Sequence, residues 1–210
     1  MNAQIERIYE TGIVIGTSGK KYPLHSHIDP EEGMFLHKII AADLRVCRTL
    51  EVGCAYGLSS LHICLATSSR SLATHTIIDP FQYSQWDGVG VKNLKDSGLN
   101  KFHLIEEPSE LALPALLRSH EFAFDFVFID GWHTFDHTLL DCFYATRLLR
   151  VGGYLAIDDA AMPGVRLAVD YLAEYPCYSM FETLGEDSRM VVLRKVDDDC
   201  REWYWYPGLA

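Results

Sequence analysis

The 210 residues, 49% of them hydrophobic, are enough for one compact domain whose core needs no disulfide or metal staple. Eighteen Lys and Arg against 29 Asp and Glu give a net charge of −11. That balance excludes the basic stripe of a nucleic-acid binder and argues against an anionic membrane surface as partner.

The first residues, MNAQIERIYETG, are charged and carry no apolar core of a signal peptide. No apolar run approaches the ~20 residues of a membrane span. The six cysteines are scattered without a CxxC pair or zinc-like spacing. Cys47, Cys54 and Cys64 lie in apolar surroundings and read as buried free thiols, which fits a reducing cytoplasm.

Ile28–Cys47 predicts a first helix: Asp29 as N-cap, Pro30 at the first helical position and Glu32 closing a capping box. Strand-like and helix-like segments then alternate. Leu50–Gly53 is a strand, Leu58–Ala66 a helix, Thr76–Asp79 a strand, Val91–Ser97 a helix and Phe102–Glu106 a third strand. Glu110–Arg118 is helical, Phe124–Asp130 a fourth strand, and His137–Leu149 a helix stopping at Gly152–Gly153. Tyr154–Asp158, helical Val165–Tyr175, and strands at Tyr178–Thr183 and Met190–Lys195 close the series, with a hairpin turn at Gly185–Ser188. The pattern predicts an α/β fold: a doubly wound, Rossmann-like, seven-stranded sheet, mostly parallel, with a C-terminal antiparallel hairpin and helices on both faces. A single domain is expected over 1–210, with a cap segment at 1–47, the core at 48–196 and an aromatic tail at 197–210. The tail, with Trp203-Tyr204-Trp205-Tyr206, packs on its own domain or in a homo-oligomer.

Two motifs carry chemistry. The first is Leu50-Glu51-Val52-Gly53-Cys54-Ala55-Tyr56-Gly57-Leu58-Ser59, a strand, a glycine-bracketed turn and a helix start. At the carboxyl end of a central strand such a turn is a ligand site, with Gly53 allowing close backbone approach and Gly57 tight helix–strand packing. The nicotinamide fingerprint G-x-G-x-x-G fails at Ala55 and Leu58. Glu51 beside the loop suits a cationic cofactor better than a pyrophosphate. Asp79, alone, is a turn aspartate before Pro80; after the first motif it reads as acceptor for two ribose hydroxyls. Ser109 and Glu110 follow the third strand and read as a helix N-cap and a first-turn acid.

The second motif places Asp130 at the end of one strand and Asp158-Asp159 at the end of the next. If those strands are neighbours, three carboxylates converge, and such convergence is costly unless a cation or protons join them. Oxygen ligands without Cys favour a hard ion such as Mg²⁺. Each Asp can also be a plain strand terminator. His133, three residues past Asp130, is either a structural hydrogen-bonder or a base.

Glu51-x-Gly53-x-x-x-Gly57 together with FVFIDGWH and LLRVGGYLAIDD resembles the class I S-adenosylmethionine (SAM)-dependent methyltransferases, over Asp29 to Lys195. It is most similar to the small metal-dependent O-methyltransferases of catechol, caffeoyl-CoA and antibiotic-sugar type. The resemblance implies SAM bound by Glu51, Gly53, Ala55, Gly57, Ser59, Asp79, Ser109 and Glu110, and Mg²⁺ held by Asp130, Asp158 and Asp159. It implies methyl transfer to a hydroxyl of a small molecule, with Asp130 and His133 catalytic. Two positions depart from the catechol pattern: Asp159 stands where Asn is usual, and His133 where a catalytic Lys is usual. The acceptor is therefore left open. A metal-independent methyltransferase and a non-catalytic interaction module are the alternatives. Gly33–Leu36 and the Phe81–Trp86 loop read as lid elements or as ordinary core.

Overall fold

A computed structural model of the chain describes residues 2–119, 123–185 and 189–207. They fall into two compact units, Met1–Pro108 and Ser109–Ala210.

The first unit opens with α1 (Ala3–Thr11), β1 (Ile13–Ile15) and β2 (Lys21–Pro23), an antiparallel pair. No pattern in the sequence predicts these elements. Asn2 caps α1 by accepting the Gln4 N–H, Gly12 ends it in the left-handed region, and Ile5 and Ile8 are buried. Strands of three residues are too short to show a two-residue period. α2 (Pro30–Ala42) has the expected reciprocal capping box, Asp29 with Glu32. β3 (Arg48–Val52), α3 (Leu58–Thr67), β4 (Thr74–Ile78), α4 (Val89–Asp96) and β5 (Phe102–Ile105) follow. In the seven-stranded sheet this unit supplies the neighbours β5-β4-β3, all parallel.

The second unit runs α5 (Ser109–Ser119), β6 (Phe124–Ile129), α6 (Phe135–Leu148), β7 (Leu149–Ile157), α7 (Pro163–Ala173), β8 (Tyr178–Leu184) and β9 (Met190–Lys195). Its strand order is β6-β7-β9-β8, with β6 and β7 parallel and the last two antiparallel. The mixed sheet with a C-terminal antiparallel pair is the one the sequence predicts. The turn expected at Gly185–Ser188 lies, apart from Gly185, outside the described residues. Gly152–Gly153 is not the helix stop. α6 ends at Leu148, and both glycines lie inside β7, beside a register shift between Phe124 and Phe126. Every residue of β6 is buried, as befits a strand covered on both faces. Lys195, 5% exposed, donates from Nζ to Thr146 O and Leu149 O, both at 2.8 Å, capping the C-terminal carbonyls of α6.

α2 packs on α3 at one tight point. A Cβ built on Gly33 would lie 2.3 Å from Nε2 of His62, a ring 2% exposed. Gly33, Phe35 and Leu36 are buried and belong to the core, while Met34 between them is exposed. Burial, with His37 as a lesser influence, pushes the His62 pKa down from 6.5 to about 4. A base depressed by folding binds protons more readily when unfolded, so its stabilising effect is complete above pH 6.5 and is lost as pH falls toward 4. We expect unfolding free energy to drop by about 2 kcal/mol between neutrality and pH ~5 from this residue alone. Denaturant titrations of His62→Leu should show a flatter acid limb. An unchanged limb would remove His62 from the acid response.

Candidate functional site

The first motif turns between β3 and α3. Ala55 takes the left-handed region at φ 45°, a conformation uncommon outside glycine, and Gly57 does so at φ 75°. The turn closes through the Gly57 N–H to Cys54 O at 2.7 Å and is tied to β4 by the Gly53 N–H to Ile78 O at 2.9 Å. Asp79, 3% exposed, continues that tie: Oδ2 accepts from Cys54 N–H (3.2 Å), Ala55 N–H (2.9 Å) and Gln82 Nε2 (3.2 Å), while Oδ1 accepts from Phe81 N–H (2.9 Å). Burial raises its pKa, and these four bonds oppose the rise.

Glu51 is fully buried below the turn. Its Oε2 accepts a short hydrogen bond from Ser60 Oγ and lies 3.1 Å from His75 Nε2. Thr49 Oγ1 lies 2.8 Å from the other ring nitrogen of His75. Glu51 thus ties β3 to α3 and β4 beneath the loop in this structure. Ser59 is also buried, at the start of α3.

In the second unit, register brings the carboxylates together. Ile129 pairs with Ile157, so Asp130 and Asp158 leave the sheet side by side. Asp158 is 7% exposed, and its Oδ1 accepts the Asp159 N–H at 2.9 Å. Asp159 then turns back in the left-handed region at φ 52°, a conformation Asp tolerates better than most residues. Asp130, His133 and Asp159 form the one group among the described residues whose possible metal-ligand atoms all lie within 4.8 Å of one another. Asp158 is not in that group; the histidine is. His133 Nε2 is 2.8 Å from Asp159 Oδ2 and 3.6 Å from Asp130 Oδ1. The hydrogen bonds to Asp130 and Asp159 push its pKa up to about 10. Both carboxylates face the same ring nitrogen, so one cation, a proton or a metal ion, can serve all three groups.

Ser109 and Glu110 begin α5, Glu110 as the acid of its first turn. Ser109 hydrogen-bonds Asp141, a residue 1% exposed on α6, whose pKa burial raises to about 6. His137 stands by the second motif, with Nδ1 2.7 Å from Thr134 Oγ1 and its ring stacked on exposed Trp132 at 5.9 Å.

Several residues at the site carry no signal in the sequence. Gln82 and Asn93, 0% and 1% exposed, donate to the loop carbonyls Ala55 O (3.0 Å) and Tyr56 O (2.9 Å). Tyr56 Oη lies 2.8 Å from His25 Nε2, and both rings pack against Trp86. Of the Phe81–Trp86 loop, Phe81 and Tyr83 are exposed and Gln82 is buried. A lone amide in a loop gives no periodic signal.

A family model described as a methyltransferase domain matches residues 50–160, just over half of the chain. The chain belongs to this methyltransferase family. The match begins at the first motif and ends just past Asp159, so it spans both. A probable caffeoyl-CoA O-methyltransferase from Dictyostelium discoideum is 30% identical over 147 residues, 67% of this chain. The alignment covers 59% of that relative's length. An O-methyltransferase from Bacillus cereus, solved with S-adenosylhomocysteine (SAH), has the same fold at TM-score 0.73 and 17% identity, over 93% of this chain and 92% of its own. An O-methyltransferase of tomaymycin synthesis from Streptomyces achromogenes, solved with SAM, matches at TM-score 0.69 and 19% identity, over 93% and 88%. The Rossmann-like fold of this methyltransferase-family chain is thus shared along nearly its whole length.

Proposed function

We propose that this chain transfers the methyl group of SAM to a hydroxyl of a small molecule, assisted by a divalent metal ion. The observation that carries the metal-assisted reading is the Asp130–His133–Asp159 group, with ligand atoms within 4.8 Å of one another. The two carboxylates of that group are hard oxygen donors that fit Mg²⁺ or Mn²⁺, and the imidazole stands beside them. When bound, such an ion lowers the pKa of an acceptor hydroxyl that meets it. Asp130 and Asp159 would hold it, with Asp158 fixing the turn that presents Asp159 and contributing a further carboxylate. His133 would take the hydroxyl proton as the methyl group is transferred. Gly53, Ala55, Gly57, Ser59 and Asp79 would cradle SAM, Glu51 would anchor that cradle from beneath, and Ser109 and Glu110 would meet the adenine.

Family membership supports SAM as methyl donor. Two solved relatives carry SAM or SAH, and the curated relative is named for an O-methyl transfer. No helix among the described residues is long and apolar enough to cross a membrane. The cysteine spacing suits the cytoplasm, the compartment we assign.

The metal is tested by titrating Mn²⁺ into the protein and following the free-ion signal by electron paramagnetic resonance. Wild type should bind one ion. Asp130→Asn should weaken binding by at least roughly tenfold, a change of about 1.4 kcal/mol. Equal binding by both proteins would reject the site. A second reading has its own observation: the His133 imidazolium already balances two carboxylates, as a metal-independent enzyme would require. Turnover unaffected by EDTA would favour it.

A further inference from the structure

The side chain of Gln82 lies at the meeting point of three elements of the first unit. It is fully buried, and each of its polar atoms is used. Nε2 donates to Ala55 O at 3.0 Å and to Asp79 Oδ2 at 3.2 Å, while Oε1 accepts the Gly90 N–H, two residues into α4, at 2.9 Å. One carboxamide thus joins the loop after β3, the carboxylate after β4 and the first turn of α4. A buried carboxamide whose two N–H donors and oxygen are all engaged fixes the geometry of its partners, because losing any bond leaves an unpaired group out of water.

The residue it grips is the strained one. Ala55 holds φ 45°, which an alanine adopts only when its surroundings impose it. Asp79 Oδ2 accepts the Ala55 N–H at 2.9 Å, and Gln82 takes the Ala55 carbonyl. Both faces of one residue's backbone are therefore held, and Gln82 also bonds the Asp79 oxygen that does half of the holding. The space leaves little slack. A Cβ on Gly90 would lie 2.7 Å from Cys54 Sγ, 3.0 Å from Ala55 O and 3.0 Å from Gln82 Oε1.

We infer that Gln82 is a positioning residue for the cofactor loop: it holds Ala55 in the left-handed conformation and so sets the shape in which the loop receives SAM. The inference rests on the reading of this loop as the SAM cradle. Gln82 does not itself meet the reacting atoms. It acts through Ala55.

The test pairs its loss with relief of the strain. In Gln82→Met the carboxamide is gone; in Gln82→Glu the acceptor for Gly90 is kept, while the donor is replaced by a carboxylate oxygen that faces Asp79 Oδ2 and Ala55 O. SAH binding by calorimetry should weaken by roughly 10- to 100-fold in either variant. Glycine occupies the left-handed region without penalty. Ala55→Gly placed on Gln82→Met should therefore recover at least about threefold of the affinity. A merely structural defect would not respond to a backbone change at residue 55. Wild-type affinity in both Gln82 variants would overturn the inference. So would a weakened variant, with native circular dichroism, that Ala55→Gly does not improve. If wild type binds no SAH, the cradle reading fails, and amide exchange decides about Gln82. Loss of protection at the Cys54 and Ala55 N–H in either variant supports the clamp, and retained protection overturns it.

Discussion

Replacing His133 with alanine should lower turnover by roughly 10²–10⁴-fold, the usual worth of a positioned proton acceptor, while SAH affinity stays within about threefold. The reason lies in where the ring sits. Its Nε2 faces both Asp159 and Asp130, and the pKa is driven up to about 10 by those two partners. A charged imidazolium has no lone pair with which to take a proton. In metal-free enzyme the rate should therefore climb with pH toward about 10. Saturating Mn²⁺ should move that rise to lower pH, because a second cation beside the same carboxylates disfavours the imidazolium. A pH–rate profile in EDTA and in Mn²⁺ reads both expectations. Full turnover in the alanine variant would remove His133 from the reaction, and identical profiles would show that metal and histidine do not share the carboxylates.

Gly57→Ala is expected to be the costliest single change in the loop between β3 and α3, the proposed SAM cradle. Two effects add. The residue sits at φ 75°, where a Cβ costs about 1–2 kcal/mol. That Cβ would also lie 2.8 Å from Gly90 Cα and 3.0 Å from Gly90 O. These are backbone atoms at the start of α4, which cannot swing aside as a flexible side chain does, so overpacking adds about 1–3 kcal/mol. The sum is a destabilisation of about 2–5 kcal/mol and a fall in melting temperature of roughly 5–15 °C. Gly12→Ala is the matched control. It has φ 62° but nothing within 4 Å of the new Cβ, so it carries only the backbone share. Thermal melts of the two variants isolate the close approach, and equal losses would show that Gly57 is needed for its φ alone.

How much of this was legible from residues alone follows from how far each signal reaches along the chain. The strand–glycine–helix run at Leu50–Ser59 and the Asp29–Glu32 capping box are short-range patterns, and the structure forms them as read. The fold class, a mostly parallel sheet closed by an antiparallel pair, also followed, since alternating strands and helices leave few topologies. Gly152–Gly153 misled because glycines punctuate helices far more often than they sit beside a β-bulge. The second motif shows the limit most clearly. Three aspartates at two strand ends predicted convergence, and register supplies it for Asp130 and Asp158. Which oxygens then meet was decided by the left-handed φ of Asp159, and that backbone angle joins Asp159 to His133 and leaves Asp158 facing its neighbour's N–H. No spacing rule contains that turn. Gln82 escaped for a related reason, because its three partners come from three different elements.

α1, which the residues gave little reason to expect, has a consequence for how such chains vary. Gln4 Nε2 donates to Asn93 Oδ1 at 2.9 Å, and Asn93 Nδ2 donates to Tyr56 O at 2.9 Å. A relay of two carboxamides thus links the second residue of α1 to the loop, across 89 positions of sequence for its first step. Positions 4 and 93 are then one inherited unit: a lineage that exchanges one of the pair should exchange the other, so that paired substitution across related chains would trace this contact without any structure.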